Sequence, residues 1–315
     1  TDRSLEFHYT AELLPFIFLA LIFALRVLLP LRKILHGVVA MIFICSLLSF
    51  LRGPYYKIAD TFSDLGSSYP TSIKEEFLSK VPSKASLVAT FDFLPKASHR
   101  DALYSFHHIY GGYYTLSRTL YPLPPSVDHA LVDMMDGMTF NSFYNPQGHV
   151  NIRNLMDTLH LAPVAVRDNF VLFSRDPAAK IELFSAASLM SLRSGPALFT
   201  DEEVRLDKVD ASIKGGVLNL VFDWQAIARP TRDLGVYVDF LDQQGRLVRR
   251  LPLAICYRIY PTQAWSRAKR VIDRKYLTIP EKLAGNDLSI RIGFFDQATG
   301  RILDKGFLVS VNKGD

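Results

Sequence analysis

The side chains in this sequence best suited to hold a metal or move a proton are its eight histidines and two cysteines. All eight histidines fall at or before His160, His107 and His108 are adjacent, and His99 precedes Arg100. No pair has the HxxxH or HExxH spacing that places two ligands on one helix face, so no metal site and no cofactor are expected. Ser98 and His99 lie near Asp92 and Asp101, but a Ser-His-Asp triad is assembled by geometry and not by adjacency. A tethered hydrolase is therefore not the reading adopted. Cys45 lies in an apolar run and Cys256 in a strand-like run, and no intrachain disulfide is expected between them. An extracytoplasmic bacterial domain can do without one.

A second chemical feature is aromatic. Tyr104, Phe106, Tyr110, Tyr113, Tyr114 and Tyr121 crowd into one stretch. Such rings stack on sugars, on a membrane surface or on a partner, or pack as a loop on their own domain. The net charge of +5 is spread along the chain, with no basic cluster interleaved with aromatics, so nucleic acid is not an expected partner. The carboxylates Asp239, Asp242 and Asp296 read as turn or strand-end residues with no paired-acid signal.

These groups must be carried by folded elements, and the first elements are apolar. Residues 13–31 form an apolar run broken only by Arg26, and residues 37–51 form a second. A membrane-crossing helix needs roughly 20 apolar residues, so a two-helix transmembrane hairpin is expected over 1–52, with spans at about 11–31 and 34–51. Arg26 reads as an interface residue. Arg32, Lys33 and His36 in the short connection favour the cytoplasmic side, which places the body extracytoplasmically. The acidic residues Asp2, Glu6 and Glu12 are the wrong flank for a signal peptide. The chain begins with Thr1, and a further N-terminal part is expected before it.

About 260 residues remain, enough for two domains of ordinary size. Residues 53–185 read as a small α/β domain: a helix at Ser72–Lys80, strands at Ser86–Phe91 and His129–Met134, a helix at Val150–Leu161, and a hairpin of Val164–Arg167 and Phe170–Ser174 around Asp168-Asn169. A linker is expected at 186–200. Residues 201–315 show short alternating strands, Val217–Trp224, Gly235–Asp242, Arg246–Arg250, Leu288–Asp296 and Gly306–Val311, with turn signals between them. The expected fold is thus membrane-anchored α+β, ending in an antiparallel, Ig-like β-sandwich.

The segment LVATFDFLPKASHRDALYSF, with Leu94-Pro95, Ser98-His99-Arg100 and Tyr104-Ser105-Phe106, resembles the domain of unknown function 2079, a family of multispanning bacterial membrane proteins. EFHYTAELLPFIFLA resembles that family's final spans, and Asp128–Asp133 the strand before its terminal helix and hairpin; the resemblance covers residues 5 to about 175. The C-terminal part resembles a module of C-type membrane glycosyltransferases, through Tyr260-Pro261-Thr262, Trp265, Ile279-Pro280, Leu283, Gly293-Phe294-Phe295-Asp296 and Thr299-Gly300. The resemblance implies a body at the bacterial inner membrane, on the periplasmic or extracytoplasmic side, attached to an enzyme that takes sugar from a polyprenyl phosphate. The early acidic loop that carries catalysis in such enzymes has no counterpart in this chain, so no catalytic residue is carried over. The resemblance marks His99, Arg100, Tyr104 and Trp265 as motif residues, and the aromatic stretch, longer than the family pattern, adds Tyr113 and Tyr114 as interaction residues. Two readings follow. One is an accessory subunit that packs against other membrane proteins in the lipid bilayer. The other is the substrate-binding C-terminal part of a glycosyltransferase whose catalytic region precedes Thr1.

Overall fold

The computed structural model describes residues 14–52, 71–115, 117, 119–142, 144–175, 177–178, 180–192, 196–284 and 288–313. Residues 11–13 of the expected first span, residues 53–70 of the expected α/β domain and residues 193–195 of the expected linker lie outside them. The chain divides into two compact units, residues 1–69 and 70–315.

In the first unit, α1 spans Leu14–Leu28 and α2 spans Arg32–Arg52. Proline disfavours helical backbone at the residue before it, and α1 stops just ahead of Leu29-Pro30. Its 15 residues rise about 22 Å, short of a hydrocarbon core about 30 Å thick. Arg32–Ser49 in α2 is the one stretch among the described residues that is long and apolar enough to cross a membrane, and none of it is buried. The expected span at 34–51 lies within α2, whereas the expected span at 11–31 is helical over Leu14–Leu28 among its described residues.

The second unit begins with α3 (Thr71–Ser79), β1 (Leu87–Ala89), α4 (Leu94–Ala97), β2 (Leu103–Ser105) and α5 (Phe106–Gly111). It continues with β3 (His129–Asp133), α6 (Gly148–Thr158), β4 (Ala162–Arg167) and β5 (Phe170–Ser174). The sheet order is β2-β1-β3-β5-β4, parallel across the first three strands and antiparallel across β5 and β4. α5 and α6 supply Phe106, Ile109, Tyr110, Ile152 and Leu155 to a core with Val88, Ala130, Val132, Val171 and Phe173. Phe77 of α3 and Phe93 meet Phe170, with ring centroids 6.3 and 5.9 Å away.

Among its described residues, the aromatic stretch from Tyr104 to Tyr121, for which a loop is one expectation, is part strand and part helix. Phe106, Ile109 and Tyr110 have the i, i+3, i+4 spacing of an apolar helix face, but over a single turn and a half the period is too short to stand out. Gly112, at φ +81°, ends α5 in a left-handed cap that a side chain would strain.

The remaining strands are β6 (Phe184–Ser188), β7 (Phe199–Thr200), β8 (Val204–Lys214), β9 (Val217–Ala226), β10 (Leu234–Leu241), β11 (Leu247–Ala254), β12 (Lys269–Thr278), β13 (Leu288–Asp296) and β14 (Phe307–Lys313). Part of the stretch expected as a linker is therefore strand. Hydrogen bonds join them in the order β11-β10-β13-β14-β8-β9-β12-β6, with β7 on β8. Pairing is antiparallel except at β14–β8, a parallel junction of two residue pairs. Leu218, Leu220, Phe222 and Trp224 on one side of that junction share a core with Val236, Val238, Phe240, Ile290, Ile292 and Phe294 on the other.

Two sequence expectations change here. Asp239 is not a strand-end residue: it is wholly buried in mid-β10, gripped by Arg250 at 2.6 and 2.9 Å and by Arg291 at 2.7 and 3.1 Å. Burial alone would raise its carboxyl, but these guanidiniums hold it below the usual range. Cys256 is not in a strand. It opens a run of three residues, Cys256, Tyr257 and Arg258, with φ of +46°, +53° and +56°.

That left-handed run joins the two cores. Cys256 belongs to the core of the larger sheet, whereas Tyr257 and Ile259 belong to the core of the smaller one. The Asp168-Asn169 turn locks the same junction from the other side. Asp168 N donates to Tyr276 O at 2.8 Å, its carboxylate accepts from Thr278 N at 2.8 Å, and Asn169 Nδ2 donates to Pro252 O at 2.8 Å. With cores so interleaved, residues 70–315 are expected to unfold as one unit. Thermal melting of the full chain, followed by Trp224 and Trp265 fluorescence and by amide protection in the smaller sheet, should give coincident transitions. Tyr257→Ala should lower both together by about 3–5 kcal/mol, the usual cost of truncating a large buried aromatic. Two separated transitions in the unaltered chain would contradict this.

Candidate functional site

The residues marked by the sequence do not converge. His99 is exposed in the turn after α4. Arg100 is buried, and its guanidinium donates to the carbonyls of Val81, Pro82 and Ala85, so it pins the loop before β1. Tyr104 lies half-buried against the smaller sheet's core. Trp265 is 1% exposed, with Nε1 donating to Tyr260 O at 3.1 Å in the larger core.

Tyr113 and Tyr114 do stay exposed, beside a cluster the sequence did not order. His107 Nδ1 lies 2.5 Å from Ser105 Oγ, and both His107 Nε2 and His108 Nε2 reach Thr115 Oγ1, at 3.2 and 3.0 Å. His107 stacks on Phe91 and His108 on Tyr121. Burial, helped by the neighbouring His108, lowers the His107 imidazole to about 4, so it is neutral near pH 7. The imidazoles here act as stacked, hydrogen-bonded wedges beneath the exposed tyrosines.

The polar groups that do converge line a pocket of about 260 Å³, its open mouth included. Tyr110, Tyr144, His149, Asp233, Arg258 and Gln263 form its chemically active wall. Tyr110 sits in the helix that follows β2. Arg258 Nε donates to Met134 O at 2.8 Å, just past the end of β3. The pocket therefore abuts the carboxyl ends of the parallel strands, where open α/β sheets commonly leave a crevice.

Local sequence explains the wall's precision. Gly148 opens α6, and a Cβ there would lie 2.0 Å from Tyr110 Cε2, so only glycine admits this ring. Tyr110 Oη donates to Asn145 O at 3.1 Å, and Asn145 Nδ2 returns bonds to Tyr110 O and Gly111 O at 3.2 and 3.1 Å. The left-handed backbone at 256–258 turns Arg258 into the smaller sheet's side, where its guanidinium lies 4.4 Å from the Phe140 ring centroid. Arg258 Nη2 donates to Gln297 Oε1 at 2.7 Å. Nη1 faces Asp233 Oδ2 at 3.9 Å, beyond hydrogen-bond reach.

Burial lifts Asp233 from 3.8 to about 6, against the pull of Arg258. Asp133, at the end of β3, is lifted to about 6 by burial as well, opposed by the Met135 amide. Burial also pulls His149 below its ordinary value, with Arg153 adding to the effect, and its Nδ1 lies 3.2 Å from Pro146 O. Sequence reading missed Arg258 and Asp233. The available signal was an arginine inside the apolar run Ile255–Tyr260, since a charge in such a run must be buried with partners.

These shifts give opposite pH signatures. Folded Asp233 keeps a proton that the unfolded chain releases between about pH 4 and 6, so its contribution is full at low pH and is lost as pH rises through about 6. Folded His107 refuses a proton that the unfolded chain takes up, so its contribution is full above about pH 6.5 and is lost as pH falls toward 4. At about 1.4 kcal/mol per unit, neither effect exceeds about 3.5 kcal/mol. Measured by denaturant unfolding from pH 4.5 to 7.5, Asp233→Asn should gain stability relative to the unaltered chain as pH rises. His107→Gln should lose it over the same range. Parallel curves for both variants would refute the assignment.

The family model described as a predicted membrane protein (DUF2079) matches residues 1–172. No curated protein matches the chain. Among solved structures, a DUF3823 family protein from Bacteroides ovatus is 13% identical, with a TM-score of 0.23 over 34% of this chain and 54% of its own. An endonuclease/exonuclease/phosphatase from Beutenbergia cavernae is 11% identical, with a TM-score of 0.19 over 58% of this chain and 54% of its own. The chain thus spans about half the length of either, and likenesses this distant carry no argument about its fold or function. The family match extends over more than half of the sequence, from α1 and α2 through the smaller sheet to β5, and the chain belongs to the DUF2079 family of predicted membrane proteins.

Proposed function

We propose that this chain is a membrane-anchored accessory body of the bacterial inner membrane that works by packing against other membrane-protein subunits. The observation that carries this reading is α2, whose apolar stretch Arg32–Ser49 is unburied by the protein itself. A surface of that length and composition needs lipid or partner helices around it. In this reading the apolar run at 11–31, with α1 within it, crosses together with α2 as a hairpin. The basic residues Arg26, Arg32, Lys33 and His36 keep the connection cytoplasmic. The body at 70–315 then stands on the periplasmic or extracytoplasmic side. We read its larger sheet as an Ig-like sandwich, because strands on both sides of the β14–β8 junction bury one core. Exposed Tyr113, Tyr114 and Leu120 supply an aromatic and apolar contact surface of the kind enriched at protein interfaces.

A second reading is favoured by one observation, the polar pocket at Asp233 and Arg258. In it, the body is the substrate-holding, C-terminal part of a membrane glycosyltransferase that uses a polyprenyl-phosphate sugar, with the reacting groups supplied from outside this chain.

Both the tether and the packing are testable in cells. The chain should resist alkaline carbonate extraction, and Ser212→Cys on the exposed face of β8 should react with a membrane-impermeant thiol reagent in spheroplasts. Labelling only after lysis would overturn the orientation. A photo-crosslinking residue at Tyr114 should capture a discrete membrane-protein partner. Crosslinks to lipid alone would overturn the packing role.

A further inference from the structure

We propose that the pocket walled by Tyr110, Asp233 and Arg258 is a carbohydrate subsite that seats the hydroxyl edge of one sugar residue. The argument starts from an ion pair that does not close. Asp233 and Arg258 are 8% and 5% exposed, both line the pocket, and their nearest charged atoms stay 3.9 Å apart. Closure is blocked because Arg258 is held elsewhere. Its Nε is bound to Met134 O at 2.8 Å, its Nη2 to Gln297 Oε1 at 2.7 Å, and its plane lies over Phe140. Its backbone is fixed in the left-handed region, which leaves little freedom to swing toward the carboxylate. The Asp233 carboxylate also accepts from the Thr262 amide, so what stays open is the 3.9 Å gap between Arg258 Nη1 and Asp233 Oδ2, a donor and an acceptor facing the same space.

The occupant that fits such a pair must accept and donate together. A hydroxyl does both with one oxygen. A carboxylate or phosphate oxygen would accept from Arg258 but meet the like charge of Asp233, and an ammonium would meet Arg258. The charge balance thus favours a neutral polyol over an ion. The rest of the wall suits a sugar. Tyr144, exposed at the mouth, offers an aromatic surface for the C–H side of a pyranose, while Tyr110, 4% exposed and packed on Phe140 and Gly148, closes the wall behind it. His149 is neutral, and with Nδ1 directed at Pro146 O its Nε2 is left as an acceptor. The Gln263 amide carries both a donor and an acceptor. The enclosed part of the pocket is small and its mouth is open, so it takes one hydroxyl edge of a ring and not a buried oligosaccharide. The subsite stands whether the body assists a transferase, forms part of one, or neither, because it is argued from the pocket alone.

The test uses the full chain in an amine-oxide detergent, which carries neither sugar nor phosphate. The probes are the methyl glycosides of glucose, mannose, galactose and N-acetylglucosamine, with inorganic phosphate and acetate as competitors. Saturation-transfer NMR and calorimetry should detect at least one glycoside, bound about tenfold more weakly by Asp233→Asn and by Gln263→Ala, as expected for one lost hydrogen bond to a charged or amide partner. Neither anion should compete. The proposal is overturned if no glycoside binds to a chain that melts normally, or if both variants bind as the unaltered chain does. It is also overturned if phosphate or acetate displaces the glycoside and binds more tightly to Asp233→Asn. Should Asp233→Asn fail to fold, Gln263→Ala, at a half-buried position, decides the matter.

Discussion

The left-handed run at Cys256, Tyr257 and Arg258 is the constraint on which the body depends. Each L-residue in that conformation costs about 1–2 kcal/mol through Cβ crowding, and three occur in succession. Strain of that size persists only where the surroundings over-determine it. Here they do. The Tyr257 ring is buried in the smaller core with its hydroxyl donating to Arg274 O at 2.9 Å. Lys275, 1% exposed, lies 3.7 Å from that ring's centroid, donates to Ala254 O at 2.7 Å and pairs with Asp273 at 3.0 Å. The strict alternation of β12 puts Asp273 and Lys275 on its buried face beside Val271 and Leu277. An ion pair under the turn thus supports the backbone that aims Arg258.

The body treats its buried charges in two ways. Asp239 is closed by two guanidiniums, and Asp223 by Nε and Nη2 of Arg270, each at 2.8 Å. Such pairs tie neighbouring strands across the larger sheet, with bidentate geometry that offsets their desolvation. Asp233 and Arg258 are more deeply buried than Arg250 or Arg270 and yet stay apart. Burial without closure is costly in a low-dielectric interior. The contrast within one molecule is what marks the pocket off from the structural ion pairs around it.

Family membership and site geometry divide the chain differently. The family match ends at residue 172 and so includes Tyr110, Tyr144 and His149 but not Asp233, Arg258 or Gln263. The pocket is therefore assembled from both sides of that boundary, across a junction held by the 256–258 turn and the Asp168-Asn169 turn. A smaller sheet without the larger one would lack Tyr257 and Ile259 from its core and Arg258 from its pocket.

Where a pattern was long and local, the sequence was enough. α2 is visible as an apolar run, α6 as a 3.6-residue period, and β9, β10 and β13 as strand runs bounded by turns. The β4–β5 hairpin is legible from Asp168-Asn169. Short or mixed signals misled: α5 is too brief to declare its period, and Cys256 looks like strand because its apolar neighbours are buried for other reasons. The marked residues Arg100 and Trp265 became structural, since a side chain's type does not say which carbonyl or core it will meet. Arg258 and Met134 lie 124 positions apart, and no periodicity spans that distance. Local hydrophobic spacing is written along the chain and sets the elements. The partner of a buried charge is chosen only when those elements pack, so the pocket was decided by tertiary structure alone.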